Sequence, residues 1–250
     1  MCTMTIVPEV GERCRIAFNR DEQRSRPTAL PPRIQQFDER RAILPTDPVS
    51  GGTWIAVNDT GLAFAVLNVN PPLAASCLAR LRKRRSRGGL IPNLIDCTTL
   101  EKAVERIQRL TPTDYPPFRL ILLADGQFVE LYSDGRLMRE SLAEPILSPR
   151  FFTSSGLGDQ LVEEPRRLLF ESFFTPDGDW PSRQDAFHRH SWPNRTHLSV
   201  RMSRDDACTV SYTTIDLDAS GATMAYRSGP PNRVGVPLIA RLPLTLEVVR

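Results

Sequence analysis

Cys2-Thr3-Met4-Thr5-Ile6-Val7 and Cys14-Arg15-Ile16-Ala17-Phe18 are two short runs rich in β-branched and apolar side chains. Gly11 lies between them, and Asn19-Arg20-Asp21-Glu22 follows directly. Such runs around a glycine predict a β-hairpin, which would carry the polar cluster back beside Cys2. A thiol attacks as its thiolate, and an unperturbed cysteine ionises only near pH 8.5, roughly. An α-amine titrates at roughly 7.7–8.0, so removal of Met1 would set base and nucleophile on one Cα. An arginine nearby favours the thiolate or holds a substrate carboxylate, and an aspartate accepts hydrogen bonds from the amine. Against this stands the plain fact that a cysteine beside a start residue carries little information alone. Strand alternation also aims Asn19 and Asp21 at one face and Arg20 at the other, so convergence on Cys2 requires a break or bulge.

Bulk properties set the bounds. The 250 residues suffice for a core of two packed sheets, and 40% hydrophobic with 24% charged residues describes an ordinary globular chain. A net charge of +3 is too small to imply a nucleic-acid partner. No apolar run is long enough to span a bilayer and no signal peptide is evident, so the expectation is a cytoplasmic protein without stable membrane insertion. Five cysteines at scattered spacings, with no Cys-x-x-Cys pair, read as free thiols and suggest no zinc site. His188, His190 and His197 lack carboxylate or cysteine companions at ligand spacing, so no metal site is expected.

Residues 23 to 47, rich in proline and arginine, read as a surface loop forming one wall of the pocket. Gly51-Gly52-Thr53-Trp54 opens a strand that turns at Asp59-Thr60-Gly61 and returns through Leu62 to Leu67. The paired glycines suit either a tight turn or close backbone approach. Asn68 ends that strand, where its amide could donate to a developing oxyanion or simply cap the strand before Pro71-Pro72. Leu78 to Arg87 reads as a helix with a basic, solvated face, or with Arg87 reaching an anionic substrate. Leu100, Ala103, Val104 and Ile107 give helical spacing behind a Thr99 cap, and Asp125-Gly126 predicts a hairpin between strands 118–124 and 127–133. Ser154 to Gly158 precedes a helix over 161–174, and strands are expected over 197–202, 208–217 and 222–226. Arg195 or Arg201 is the candidate for a late wall of the pocket. Runs of strands flanked by helices, without regular alternation, give an α+β chain.

The order Cys2, Asn19-Arg20-Asp21-Glu22, Gly51-Gly52-Thr53-Trp54, Asn68, Ser86-Arg87-Gly88 and Ser154-Ser155-Gly156-Leu157 resembles the NRDE family, also called the transport-and-Golgi-organisation family. The resemblance implies a single domain over 1–250 with the α+β fold of N-terminal-nucleophile hydrolases, a four-layer αββα sandwich of mainly antiparallel sheets. It implies an amidohydrolase that cleaves a C–N amide bond of a small molecule without a cofactor. Cys2, Arg20, Asp21 and Asn68 would be catalytic, and Asn19, Glu22, Thr53, Trp54, Asn70, Arg87 and Ser155 would bind substrate. The arginine-to-aspartate spacing is shorter here than in the related bile-salt and penicillin amidases. The family is also connected with haem trafficking and with lipid or acyl-coenzyme A handling. That connection implies the alternative of a non-enzymatic carrier, with Cys2 or a histidine ligating haem.

Overall fold

A computed structural model describes residues 2–9, 13–71, 84–176, 178–233 and 235–245. Strands β1 (Cys2–Pro8) and β2 (Cys14–Gln23) form the expected hairpin, with Cys2 opposite Arg20 and Pro8 opposite Cys14. On its other side β1 pairs with β11 (Arg150–Ser154), Cys2 opposite Ser154, so the chain starts inside a sheet with strands on both flanks. Beyond β2 lie β12 (Ala207–Asp218), β13 (Gly221–Ser228) and β14 (Leu238–Pro243), giving six antiparallel strands in the order β11-β1-β2-β12-β13-β14.

The second sheet contains β3 (Leu30–Phe37), β4 (Arg40–Thr46), β5 (Ile55–Asn58), β6 (Ala63–Asn68), β7 (Phe118–Ala124) and β8 (Gln127–Ser133) in sequential antiparallel pairing. The short strands β9 (Met138–Glu140) and β10 (Glu144–Pro145) both pair with β8. Helix α1 (Leu100–Gln108) packs on β7, while α2 (Gln160–Phe173) and α3 (Trp180–Arg189) cover β11, β1 and β2. The layers therefore run helix, sheet, sheet, helix: the αββα sandwich of the N-terminal-nucleophile hydrolases.

Burial follows from this layering. Met4, Ile6, Ile16 and Phe18 belong to the same buried cluster as Ile55, Val57, Phe64, Leu120 and Leu122 of the second sheet. Each large apolar side chain so buried contributes about 1.5–3 kcal/mol. Both faces of β1 and β2 are covered, which is why their sequences lack the apolar-polar alternation of a half-exposed strand. Helix α1 buries Leu100, Ala103 and Ile107, and the Thr99 hydroxyl accepts from the Lys102 N–H at its start. At the β7–β8 turn Asp125 and Gly126 have φ of +51° and +68°, the left-handed pair of a type I′ hairpin.

Three expectations from sequence change. The segment 23–47 is largely strand, not loop: β3 and β4 form a hairpin, and Pro31-Pro32 are accommodated at a register shift on an outermost strand. No strand forms over 197–202; Ser203 makes only an isolated bridge to Cys208, and α3 and β14 were not foreseen. The helix expected over 78–87 falls mostly outside the described residues. Its last residue, Arg87, instead opens a 3₁₀ turn over Arg87–Gly89, in which the Ser86 hydroxyl accepts from the Gly88 N–H.

The two glycines of Gly51-Gly52 have separate reasons. Gly51 turns at φ +67°, whereas a Cβ on Gly52 would stand 2.4 Å from the carbonyl carbon and oxygen of Gly88. The Thr53 N–H donates to that same carbonyl at 3.0 Å, so the segments 51–54 and 86–88 are pressed backbone to backbone. Gly52→Ala should cost about 1–3 kcal/mol in a urea melt by forcing them apart; an unchanged midpoint would show that the contact is dispensable.

Candidate functional site

Pairing Cys2 with Arg20 fixes where the thiol goes. Cys2, Arg20, Asp21 and Glu22 open onto a cavity of about 430 Å³, whose other walls are Thr53, Trp54, Asn68, Asp47, Arg26 and the segment Arg84 to Gly88. Arg20 and Asp21 are consecutive, yet both reach it. The register between β2 and β12 shifts there, with the extra residue, Val210, on β12, while the Asp21 carboxyl is held by the Thr209 hydroxyl and the field of the buried Arg166.

The Cys2 N–H donates to the Ser154 hydroxyl at 3.0 Å. Burial pushes the Cys2 thiol above its ordinary range, opposed by the chain's amino terminus, the Asp21 backbone N–H and Arg20. The thiol is thus held protonated at neutral pH, and attack from it needs a base. Asp21 is equally buried, and burial lifts its carboxyl to about 6 against the pull of Arg166, the Thr209 hydroxyl, the amino terminus and Arg204. Thr209 donates to Asp21 Oδ1 at 2.6 Å.

Beneath the sheet, Arg166 of α2 is fully buried. It donates to the hydroxyls of Thr3 (2.9 Å) and Thr153 (2.7 Å) and to the carbonyls of Leu198 (2.8 Å) and Ser199 (2.7 Å). Thr3 follows the nucleophile candidate and Thr153 precedes Ser154, so this one guanidinium ties down both strands flanking the thiol. Sequence reasoning missed it. The signal was an arginine within the apolar stripe Val162, Arg166, Phe170 of an amphipathic helix.

Across the cavity, Asp47 accepts from Arg20 at 2.6 Å, from Arg26 at 2.7 and 3.0 Å, and from the N–H groups of Val49 and Ser50. Burial alone would raise its carboxyl, but these donors hold it down at about 2. The Arg20 guanidinium lies 4.2 Å over the Trp54 ring. Arg20 is thereby fixed between a carboxylate and an indole. The Asn68 amide makes no hydrogen bond with the described residues, and Arg87 spends one N–H on the Pro117 carbonyl.

Three sequence candidates do not reach the cavity. Asn19 points to the helix layer, where its amide donates to the carbonyls of His188 and Val200. Asn70 and Ser155 gather on Asp159 instead: the Asn70 amide and backbone N–H, and the Ser155 N–H, all donate to that carboxylate. Ser154, not Ser155, is the serine that meets Cys2. Arg195 and Arg201 are likewise absent from the cavity wall. No histidine lines it, so among the described residues Cys2 is the thiol or imidazole donor that haem seated here would meet; buried His188 is held by the Thr5 hydroxyl at 2.8 Å. Among the described residues no group of three or more His, Cys, Asp and Glu is placed to hold a metal ion, and no helix is long and apolar enough to cross a membrane.

The family profile of Transport and Golgi organisation 2 matches residues 1–157, which include Cys2, β2 and the Gly-Gly-Thr-Trp segment. The chain belongs to that family. No curated protein sequence matches this Transport and Golgi organisation 2 member. Among solved structures it is similar to a Caenorhabditis elegans ortholog of N-acylethanolamine-hydrolyzing acid amidase, at 13% identity and TM-score 0.56, over 86% of this chain and 92% of that one. It is also similar to a mutant of conjugated bile acid hydrolase from Clostridium perfringens, at 11% identity and TM-score 0.52, with both chains fully covered. At such identity the likeness establishes the fold.

The raised Asp21 carboxyl has a thermodynamic signature. Its folded-state value of about 6 lies above the ordinary 3.8, so the stability it contributes is present below the ordinary value and lost as pH rises through about 6. Between about pH 4 and pH 7, Asp21→Asn should therefore gain on the native protein by up to about 3 kcal/mol in paired urea melts. A difference independent of pH would show that Asp21 is not buried as a strained carboxylate.

Proposed function

We propose that the protein is an N-terminal cysteine amidohydrolase acting on a C–N amide bond of a small molecule, after removal of Met1. The observation that carries this reading is the placement of Cys2. Its sulfur opens onto the cavity while its own nitrogen, 3.0 Å from Ser154 Oγ, is held in the strand register. Once Met1 is gone that nitrogen is an α-amine, a base of suitable strength beside a thiol that cannot ionise unaided.

In the proposed cycle the amine takes the thiol proton as the sulfur attacks the amide carbonyl. Asn68 donates to the oxyanion, a contribution worth about 3–4 kcal/mol for one well-placed donor. The C–N bond breaks as the amine returns the proton to the leaving nitrogen, and water then hydrolyses the thioester by the same route. Asp21 orients the charged amine, and Ser154 accepts one of its N–H bonds. Arg20, immobilised by Asp47 and Trp54, supplies positive charge beside the thiolate. Glu22, Thr53 and Trp54 shape the substrate wall.

Intact mass of the purified chain should show loss of one methionine, and a panel of acyl amides should yield free amine. Cys2→Ala should lower turnover by about 10³-fold or more. Retained Met1, or turnover that survives Cys2→Ala, overturns the assignment. A saturable absorption change on adding haem, with no amide cleaved by the Met1-free protein, would favour the carrier reading instead.

A further inference from the structure

Positive charge on the cavity wall exceeds what the protein neutralises. Among the described residues five arginines line it, Arg20, Arg26, Arg84, Arg85 and Arg87, against three carboxylates, Asp21, Glu22 and Asp47. Those carboxylates are already committed. Asp47 holds Arg20 and Arg26, Glu22 lies 3.4 Å from Arg20 and 3.6 Å from Arg26, and Asp21 faces the buried Arg166. Among the described residues Arg84, Arg85 and Arg87 make no ion pair with a carboxylate; Arg85 is engaged by the Tyr115 hydroxyl, and Arg84 Nε is buried without a hydrogen-bond partner.

Arg87 is the most telling of the three. It sits half-buried on the cavity wall beside Cys2, with one N–H on the Pro117 carbonyl and no further hydrogen bond from its guanidinium among the described residues. Burial draws it down to about 10, while the field of Cys2, Glu22 and Asp159 opposes the loss of charge. A desolvated guanidinium without a counterion is costly to a fold, and its planar fork matches a carboxylate or phosphate.

We infer that the cavity takes amides bearing an anionic group, a carboxylate or a phosphate, near the scissile carbonyl, with Arg87 as its principal ligand and Arg84 and Arg85 at the rim. The specificity rests on the amidohydrolase reading, but the anion site itself does not.

The test uses two electrophiles of nearly equal size that differ in charge, iodoacetate and iodoacetamide. In both reactions the thiolate displaces iodide and a C–S bond replaces the C–I bond. Rates are followed on the full chain at low salt, with the modified cysteine located by peptide mass and glutathione run alongside. The iodoacetate-to-iodoacetamide rate ratio at Cys2 should exceed that of glutathione by about tenfold, and should fall as salt is added. The ratio cancels any change in the thiol's own ionisation, so Arg87→Gln should return it to within about twofold of glutathione, and Arg87→Lys should keep part of it. Stronger protection by acetate than by inorganic phosphate would identify a carboxylate site, and the reverse a phosphate site. A ratio equal to that of glutathione, or one indifferent to Arg87→Gln, overturns the inference. A charge preference without any amide turnover would leave the anion site standing and remove the hydrolase. Equal kcat/KM for neutral and anionic amides would do the opposite.

Discussion

A buried guanidinium sets the terms for this fold. Arg166 is enclosed between α2 and the first sheet, where an unsatisfied cation would be costly, and its hydrogen bonds go to two threonine hydroxyls and two carbonyls. Those partners come from β1, from β11 and from the loop before β12. The charge can be satisfied only when the three segments are assembled, and their assembly is what places Cys2 between Arg20 and Ser154. Asp21 lies in the same buried field, so stabilising the cation and poising the carboxylate beside the thiol depend on one interaction.

On the opposite wall a second cluster does for Arg20 what Arg166 does for the strands. Asp47 is gripped by two arginines and two backbone N–H groups, and Trp54 closes over Arg20. Asp47 stands at the end of β4 and Trp54 just before β5, so the β3–β4 hairpin belongs to the site and does not merely border it. The tight backbone contact between Gly52 and Gly88 then brings in Arg87. The cavity thus draws on short segments far apart in sequence, locked together by different kinds of contact.

Much of this architecture is written locally. The β1–β2 hairpin, the Asp-Gly turn and the Thr99-capped helix follow from short-range chemistry, and the structure keeps all three. What the sequence hides are pairings that close only in three dimensions. Asp47 precedes a proline and looks like any turn residue, and Thr209 looks like an ordinary strand threonine. Asn19 shares the polar motif of Arg20 and Asp21 yet turns to the helices, because β2 runs on through Gln23 and alternation applies at that position. Asn70 and Ser155 are drawn off by Asp159, an interaction spanning two segments that nothing in either one announces. Arg166 was legible in principle, as a charge in an apolar stripe, since such a residue on a covered face must find partners.

The two prolines of β3 have a consequence beyond the site. That strand is the last in its sheet, and an outermost strand offers free donors and acceptors on which another chain can lengthen the ladder. Pro31 and Pro32 remove two N–H donors in succession, and the register shift there skews the strand away from a regular template. The same residues that disguise β3 as a loop also guard this margin against fibrillar growth.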